Sequence, residues 1–157
     1  MTRIKPVLPS RRTKFPASEL NFAGLPWISE DLAGSLSAIT AFLVEAYASE
    51  ISRVGLYGSW QRGDPGPGSD VDIVVFLNHD VAWFDPDNGV VDRLAARRDR
   101  LHWHGIEKKA NARRLDKRDY SIVVVTRGML DYYSSRGPIH LQNWVYALKN
   151  CHPLWDG

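Results

Sequence analysis

Residues 30–50 carry the clearest helical pattern in the sequence. Their apolar positions recur at steps of three and four residues, which is the spacing of one face of an α-helix. These positions are Leu32, Leu36, Ile39, Leu43, Ala46 and Tyr47. Ser29 precedes the pattern as an N-cap, and Glu30 and Asp31 follow in the first turn, where the helix dipole favours acidic side chains. We therefore predict an amphipathic helix over residues 30–50.

Three short apolar runs predict β-strands, because they are rich in β-branched residues and are bounded by turn residues. They cover residues 53–57 (R-V-G-L-Y), 71–77 (V-D-I-V-V-F-L) and 121–126 (S-I-V-V-V-T). The first run ends at Gly58. Between the first two runs lies Q-R-G-D-P-G-P-G-S, which holds too much Gly and Pro for regular structure beyond a short opening turn.

Helical spacing returns in the second half of the chain. A helix over about 90–103 is predicted by apolar residues on one face, namely Val91, Leu94, Ala95 and Leu101. A short helical turn is predicted near 129–134, and Pro138 stands where helices tend to begin. A terminal helix is then marked by Leu141, Trp144, Val145 and Leu148. The order α-β-β-α-β-α indicates an α/β (α+β) fold, with a small mixed central sheet and helices packed mainly on one face.

Residues 1–27 differ from the rest of the chain, since they are rich in Pro and Arg and show no periodicity. We interpret them as an extended basic arm and residues 28–157 as one domain, as suits a chain of 157 residues. No apolar run approaches the ~20 residues of a membrane span. The N-terminus also lacks the apolar core of a secretory signal, so we expect no membrane association and a cytoplasmic location. The single cysteine, Cys151, excludes an internal disulfide and is expected to be structural.

The net charge of +2 conceals an uneven distribution of charge along the chain. Residues 1–14 hold five Lys or Arg and no acid, and residues 93–118 hold ten Lys or Arg against three acids. Such a split is consistent with a polyanionic partner near the basic segment, such as a triphosphate or the phosphates of a nucleic acid. It is equally consistent with a solvated helix face and an N-terminal tail without a partner. Aromatic residues of the second half, Trp83, Trp103 and Trp144, either fill the core or stack on a ring of a substrate.

Specific chemistry is concentrated in residues 53–77. Gly58 permits a positive φ and a close approach of backbone N–H groups to a phosphate, and Ser59 adds a hydroxyl donor. Asp70 and Asp72 open the second strand and point the same way, about 7 Å apart along the chain, because side chains alternate faces on a strand. Two carboxylates at this spacing bind hard divalent cations that also bind triphosphate oxygens, although either acid alone is an ordinary solvated residue.

The run G-S-W-Q-R-G-D-P-G-P-G-S-D-V-D-I resembles the nucleotidyltransferase superfamily with a DNA polymerase β-like fold. It is most similar to the minimal nucleotidyltransferase domains, whose pattern is roughly G-S-x-x-R-G followed by S-D-x-D. The positions that match this pattern are Gly58, Ser59, Arg62, Gly63, Ser69, Asp70 and Asp72. The eleven-residue step from Ser59 to Asp70 is also the usual spacing of the family. The resemblance covers residues 30–130 in element order and residues 55–77 closely.

The resemblance implies transfer of a nucleoside monophosphate from a nucleoside triphosphate such as ATP to a hydroxyl group, with one or two Mg²⁺ ions. Gly58 and Ser59 are the expected nucleotide-binding residues. Arg62 either contacts the triphosphate or braces the loop. Asp70 and Asp72 are the expected metal ligands and catalytic residues. The acceptor is a small molecule, a tRNA or a protein in different relatives, and a partner subunit or a homodimer is plausible for so short a chain.

A third carboxylate, on the next strand, completes the site in this family. The expected places are occupied here by Ser121 or Val123. Asp119 lies on the same predicted face two and four residues earlier, so we predict Asp119 as the third catalytic and metal-binding acid. A two-residue displacement is ~7 Å along a strand, which leaves the completeness of the site open. Glu107 is the more distant substitute and is expected to be a surface residue.

Two interpretations without turnover compete with the transferase. Domains of this family also act as antitoxins in toxin–antitoxin pairs, some of them by binding alone, so a chain without its third acid is consistent with a protein- or nucleotide-binding module. The basic arm and basic helix are also consistent with a protein that chiefly binds RNA, for which steep salt dependence is expected.

Overall fold

A four-stranded mixed sheet forms the centre of the fold in a computed structural model that describes residues 20–157. The helices are α1 (Glu30–Tyr47), α2 (Ser59–Arg62), α3 (Leu94–Asn111), α4 (Arg127–Arg136) and α5 (Ile139–Lys149). The strands are β1 (Ile51–Tyr57), β2 (Val71–Leu77), β3 (Phe84–Asp85), β4 (Gly89–Val90), β5 (Tyr120–Val125) and β6 (His152–Asp156). The predicted α/β class and the small mixed sheet are thereby confirmed. Residues 1–19, most of the predicted arm, lie outside the described residues.

The sheet has the strand order β5-β2-β1-β6. β1 pairs antiparallel with β2 and with β6, whereas β2 and β5 are parallel. Parallel neighbours require a crossover connection, and α3 supplies it by returning the chain from the end of β2 to the start of β5. The registers place Asp72 between Tyr57 on β1 and Ser121 on β5. The acidic strand is therefore an inner strand of the sheet.

The apolar positions that predicted α1 and β2 lie in the hydrophobic core. The apolar stripe of α1 is buried, including Leu32, Leu36 and Ile39, and Ser29 caps the helix by accepting a hydrogen bond from the Leu32 N–H. α1 contacts β1, β6 and α3, and α3 contacts β5. The β2 strand is buried on both faces, as its continuous apolar run indicates. No helix in residues 20–157 is long and apolar enough to cross a membrane.

The predicted boundaries and face of α3 were wrong. The helix begins at Leu94 instead of near residue 90 and continues to Asn111 instead of ending near residue 103. Leu94 and Leu101 are 65% and 69% exposed, and Ala95 is also exposed. The buried face consists of Ala96, Asp99, Trp103, Ile106 and Ala110. Small side chains and an acid occupy buried positions, so the hydrophobic pattern gave the wrong face.

The chain also contains elements that the pattern did not predict. β6 follows α5 and pairs with β1 as an edge strand, where Pro153 is tolerated because one side of the strand needs no hydrogen bonds. The short hairpin β3–β4 is a further addition, and α4 extends beyond the predicted turn at 129–134, whereas α2 is the short opening turn that the sequence allowed after β1. Trp83, Trp103 and Cys151 are buried, whereas Trp144 is partly buried.

Candidate active site

The loop after β1 forms one turn of helix between two glycines. Gly58 has φ 78° and ψ −156°, and its carbonyl accepts hydrogen bonds from the N–H groups of Gln61 and Arg62, both at 3.1 Å. Gly63 ends the turn at φ 84°, in the left-handed region that favours glycine. The Ser59 carbonyl accepts from Gly63 and Asp64. The sequence G-S-W-Q-R-G therefore closes the turn with its own backbone and leaves the Ser59 side chain at its start.

Gly58 lies against the side chain of Asp72. A Cβ atom at Gly58 would overlap the Asp72 Oδ2 atom and would stand 3.2 Å from its Cγ atom. The strand register accounts for this proximity, because Tyr57 is paired with Asp72 across the β1–β2 ladder. The Gly-Ser turn and the carboxylate of β2 thus share one small site, as the sequence predicted for the two motifs.

Asp70 and Asp72 have different environments within this site. Asp72 is the second residue of β2 and is partly buried, whereas Asp70 precedes the strand and is exposed. Burial raises the pKa of Asp72, the negative charge of Asp70 raises it further, and the positive charge of Arg62 opposes both. An Asp72 anion that is disfavoured in this way would be stabilised by a bound cation. The donor set therefore fits a hard divalent cation.

Arg62 stands at the rim of the turn. Its side chain is 60% exposed and forms an ion pair with Asp64, with 3.3 Å between Arg62 Nε and Asp64 Oδ1. Its charge nevertheless reaches Asp72 and partly offsets the rise in the pKa of that carboxyl. Because the ion pair is exposed, it holds Arg62 only weakly.

The register of β5 shows where a third acid stands relative to the pair. Ser121 is paired with Asp72, and the Val71 N–H donates to the Asp119 carbonyl at 2.8 Å. Asp119 is therefore one strand away from Asp70, just before β5, with an exposed side chain. Within residues 20–157 no group of three His, Cys, Asp or Glu side chains is close enough to hold a metal ion. Glu107 lies on α3, partly buried, where His104 Nδ1 is 3.0 Å from its carboxylate.

Tyr57 is an uncharged side chain beside Asp72. Burial raises the pKa of Tyr57 to about 12, and the charge of Asp72 contributes in the same direction. A hydrogen bond from the Trp144 indole acts in the opposite direction. The phenol therefore keeps its proton at neutral pH. It belongs to the site although the sequence pattern did not single it out, because only the strand register shows it beside Asp72.

Two tryptophans and an arginine brace the Gly-Ser turn, and the sequence analysis missed all three. The Trp27 Nε1–H donates to the Trp60 carbonyl at 2.5 Å, and the Trp27 ring lies against Gly63, where a Cβ atom would stand 3.0 Å from it. The Arg118 guanidinium lies 5.2 Å from the centre of the Trp60 ring. Trp27 was assigned to the extended arm, and no periodicity connects it with residue 60. The positions of Trp27 and Trp60 in the sequence therefore did not predict this contact.

Comparison with known proteins agrees with this geometry. A family model described as a nucleotidyltransferase domain matches residues 36–127, which is more than half of the chain. Searches among curated proteins and among solved structures gave no significant match. The matched residues run from α1 to the end of β5 and include the Gly-Ser turn and both aspartates. The chain therefore belongs to the nucleotidyltransferase domain family.

Proposed function

We propose that this protein is a Mg²⁺-dependent nucleotidyltransferase that transfers a nucleoside monophosphate from a nucleoside triphosphate to a hydroxyl group of an acceptor. One observation carries the proposal: Gly58 lies against the Asp72 carboxylate, so a turn suited to phosphate and a pair suited to a cation share one site. A metal–triphosphate complex presents both kinds of group together. Membership in the family supports the same reaction.

Asp70 and Asp72 would hold the metal. Bound there, Mg²⁺ would supply positive charge to the triphosphate oxygens and would polarise the group under attack. The raised pKa of Asp72 has its cause in burial and in the charge of Asp70, and a bound cation offsets both. Asp72 is positioned by its place in the ladder, whereas Asp70 is exposed and adapts to the ligand.

The remaining residues of the site bind and orient the nucleotide. Ser59 offers its hydroxyl and Gly58 its partly buried backbone to the outer phosphates, in the manner of other glycine-containing phosphate loops. Arg62 replaces its exposed partner Asp64 by a phosphate oxygen. Tyr57 is held neutral beside Asp72 and adds no negative charge to the site.

Asp119 is the proposed third acid. It lies one strand away from Asp70 with an exposed side chain, so it can accept a hydrogen bond from an acceptor hydroxyl. In the ladder the position beside Asp72 belongs to Ser121, whose hydroxyl is a weaker ligand than a carboxylate. The proposal therefore assigns to Asp119 the orientation and deprotonation of the acceptor.

The test is label transfer from radiolabelled nucleoside triphosphates in the presence of Mg²⁺, with release of pyrophosphate measured in parallel. We expect both with the unaltered protein, and a loss of at least ~10²-fold in Asp72→Ala, because charge stabilisation of this kind is worth several kcal/mol. Asp64→Ala is the matched control, since Asp64 is an exposed loop acid that pairs only with Arg62 in the described residues. Retained activity in Asp72→Ala would refute the assignment.

A binding module without turnover is the second candidate, and the Ser121 position beside Asp72 favours it. Such a module binds nucleotide, or a protein partner in the manner of an antitoxin, and releases no pyrophosphate. Calorimetry with Mg²⁺ and a non-hydrolysable triphosphate separates the two candidates when it is combined with the transfer assay. Tight binding without transfer for all four nucleotides supports the module.

A further inference from the structure

The cations at the end of α3 form an exposed surface next to the active site. We define the basic ledge as the exposed residues Lys108, Lys109, Arg113, Arg114 and Lys117. Because α3 crosses back from the end of β2 to the start of β5, the ledge lies at the end of the sheet that carries Asp70 and Asp72. Arg118 continues the ledge to the Gly-Ser turn through its contact with Trp60.

The charges of the ledge are not neutralised by nearby acids. Asp116 binds Arg118 at 2.6 Å and accepts from the Tyr120 hydroxyl at 2.9 Å, while Glu107 contacts His104. Among residues 20–157 no ion pair involves a residue of the ledge. Unpaired cations concentrated on one exposed surface attract a polyanion.

An aromatic side chain at the same end of the molecule indicates which class of polyanion the ledge binds. Trp27 is 38% exposed and lies on Gly63, bonded to the Trp60 whose ring contacts Arg118. Exposed rings beside a basic groove are the features with which proteins bind single-stranded nucleic acids, since unpaired bases stack on them. The acidic side chains of a peptide, Asp and Glu, carry no ring that could stack in this way.

We infer that the acceptor is a single-stranded nucleic acid, whose phosphates lie on the basic ledge and whose terminal hydroxyl reaches the Asp70–Asp72 site. This inference rests on the proposed function. The oxygen of the terminal hydroxyl attacks the α-phosphorus and forms a new P–O bond, while the bond from that phosphorus to the bridging oxygen breaks and pyrophosphate leaves. The hydroxyl proton passes to Asp119 and from there to water.

The binding test uses short fluorescently labelled RNA and DNA strands and measures affinity at several salt concentrations. Lys109→Gln/Lys117→Gln removes two charges of the ledge, and Arg93→Gln/Arg98→Gln removes two exposed charges from the other end of α3. We expect the first variant to lose affinity roughly tenfold at 0.1 M salt and its salt slope to fall by about 1.4, at ~0.7 per phosphate contact. The control is expected to retain both. Equal losses in the two variants, or equal affinity for poly-glutamate, would overturn the inference.

The transfer test distinguishes the inference from the proposed function. Strands with a free 3′-hydroxyl and strands blocked there by a phosphate are incubated with Mg²⁺ and labelled triphosphates. We expect both strands to bind and only the strand with a free 3′-hydroxyl to take up label. Comparison of RNA with DNA strands shows which of the two nucleic acids supplies the hydroxyl. Pyrophosphate release together with label on another acceptor overturns the inference and leaves the proposed function intact. No pyrophosphate release with any acceptor overturns both.

Discussion

Asp72 and Tyr57 face each other across the β1–β2 ladder, and the charge of Asp72 helps to raise the pKa of Tyr57 to about 12. Asp72 is itself disfavoured as an anion, because burial and the charge of Asp70 raise its pKa. The ionisation of Asp72 at this end of the sheet therefore costs stability. That cost is the physical basis for the proposal that a cation binds here.

The first prediction concerns the pH dependence of stability in Asp72→Asn without divalent cations. Since the pKa of Asp72 is raised in the folded state, the folded protein binds the proton more tightly than the unfolded chain. The stability linked to this proton is present at low pH and is lost as the pH rises through the folded pKa. We expect the melting temperature of Asp72→Asn to equal that of the unaltered protein near pH 3. At pH 7 we expect the variant to melt at a higher temperature than the unaltered protein.

Thermal unfolding with and without Mg²⁺ completes this test. A ligand at about 100 times its Kd adds ~2.7 kcal/mol to the folded state, and only the protein that keeps both carboxylates should gain this stability. Asp64→Asn, at an exposed loop acid, should behave like the unaltered protein. An Asp72→Asn variant that is less stable at pH 7 would contradict the account of the site.

Parts of this site were readable from the sequence because they are local. Gly58, Ser59, Asp70 and Asp72 lie within fifteen residues, and the turn and strand that carry them have strong signals of Gly, Pro and β-branched residues. The β2 boundaries were predicted correctly for this reason. Motif spacing could therefore place loop and carboxylates together without knowledge of the tertiary fold.

Other parts depend on contacts between distant residues and were missed. Trp27 meets Trp60 across 33 residues of sequence, and β6 is recognisable as a strand only when β1 is available as its neighbour. The face of α3 was wrong because its buried positions include Ala96 and Asp99, and the Asp99 carboxylate is satisfied by the Ala82 N–H at 2.8 Å. Hydropathy does not reveal an acid whose partner lies in another segment.

The second prediction concerns the close approach of Gly58 to Asp72. Gly58→Ala introduces a Cβ that overlaps the carboxylate and strains a backbone at φ 78°, which together should cost on the order of 1–3 kcal/mol and abolish detectable Mg²⁺–triphosphate binding. Gly68→Ala is the matched control, because Gly68 has φ 75° and open space around its Cα. We expect the control to lose some stability and to keep nucleotide affinity, as measured by unfolding and calorimetry. Equal affinities in the two variants would show that the contact with Asp72 is irrelevant to binding.

The third prediction concerns the brace on the Gly-Ser turn. Trp27→Phe keeps a ring against Gly63 and removes the hydrogen bond to the Trp60 carbonyl, so we expect a loss of about 0.5–1.5 kcal/mol in stability and a raised KM for the triphosphate. Trp155→Phe on β6 is the control and should leave KM unchanged. A brace acts on the geometry of the turn, so kcat should change less than KM. A large fall in kcat at constant KM would assign Trp27 a different role.

The fourth prediction tests whether Asp119, just before β5, serves as the third acid. Asp119→Asn alters an exposed side chain, so the melting temperature should stay within a degree or two of the unaltered value while kcat falls by ~10²-fold. Ser121→Asp in the Asp119→Asn background moves the carboxylate two residues along the strand to the position paired with Asp72. Because this position adjoins the Asp70–Asp72 pair, we expect the double variant to regain activity and Mg²⁺ affinity. If Asp119→Asn retains full activity, transfer needs only Asp70 and Asp72. Ser121→Asp in the otherwise unaltered chain then measures what a third carboxylate adds.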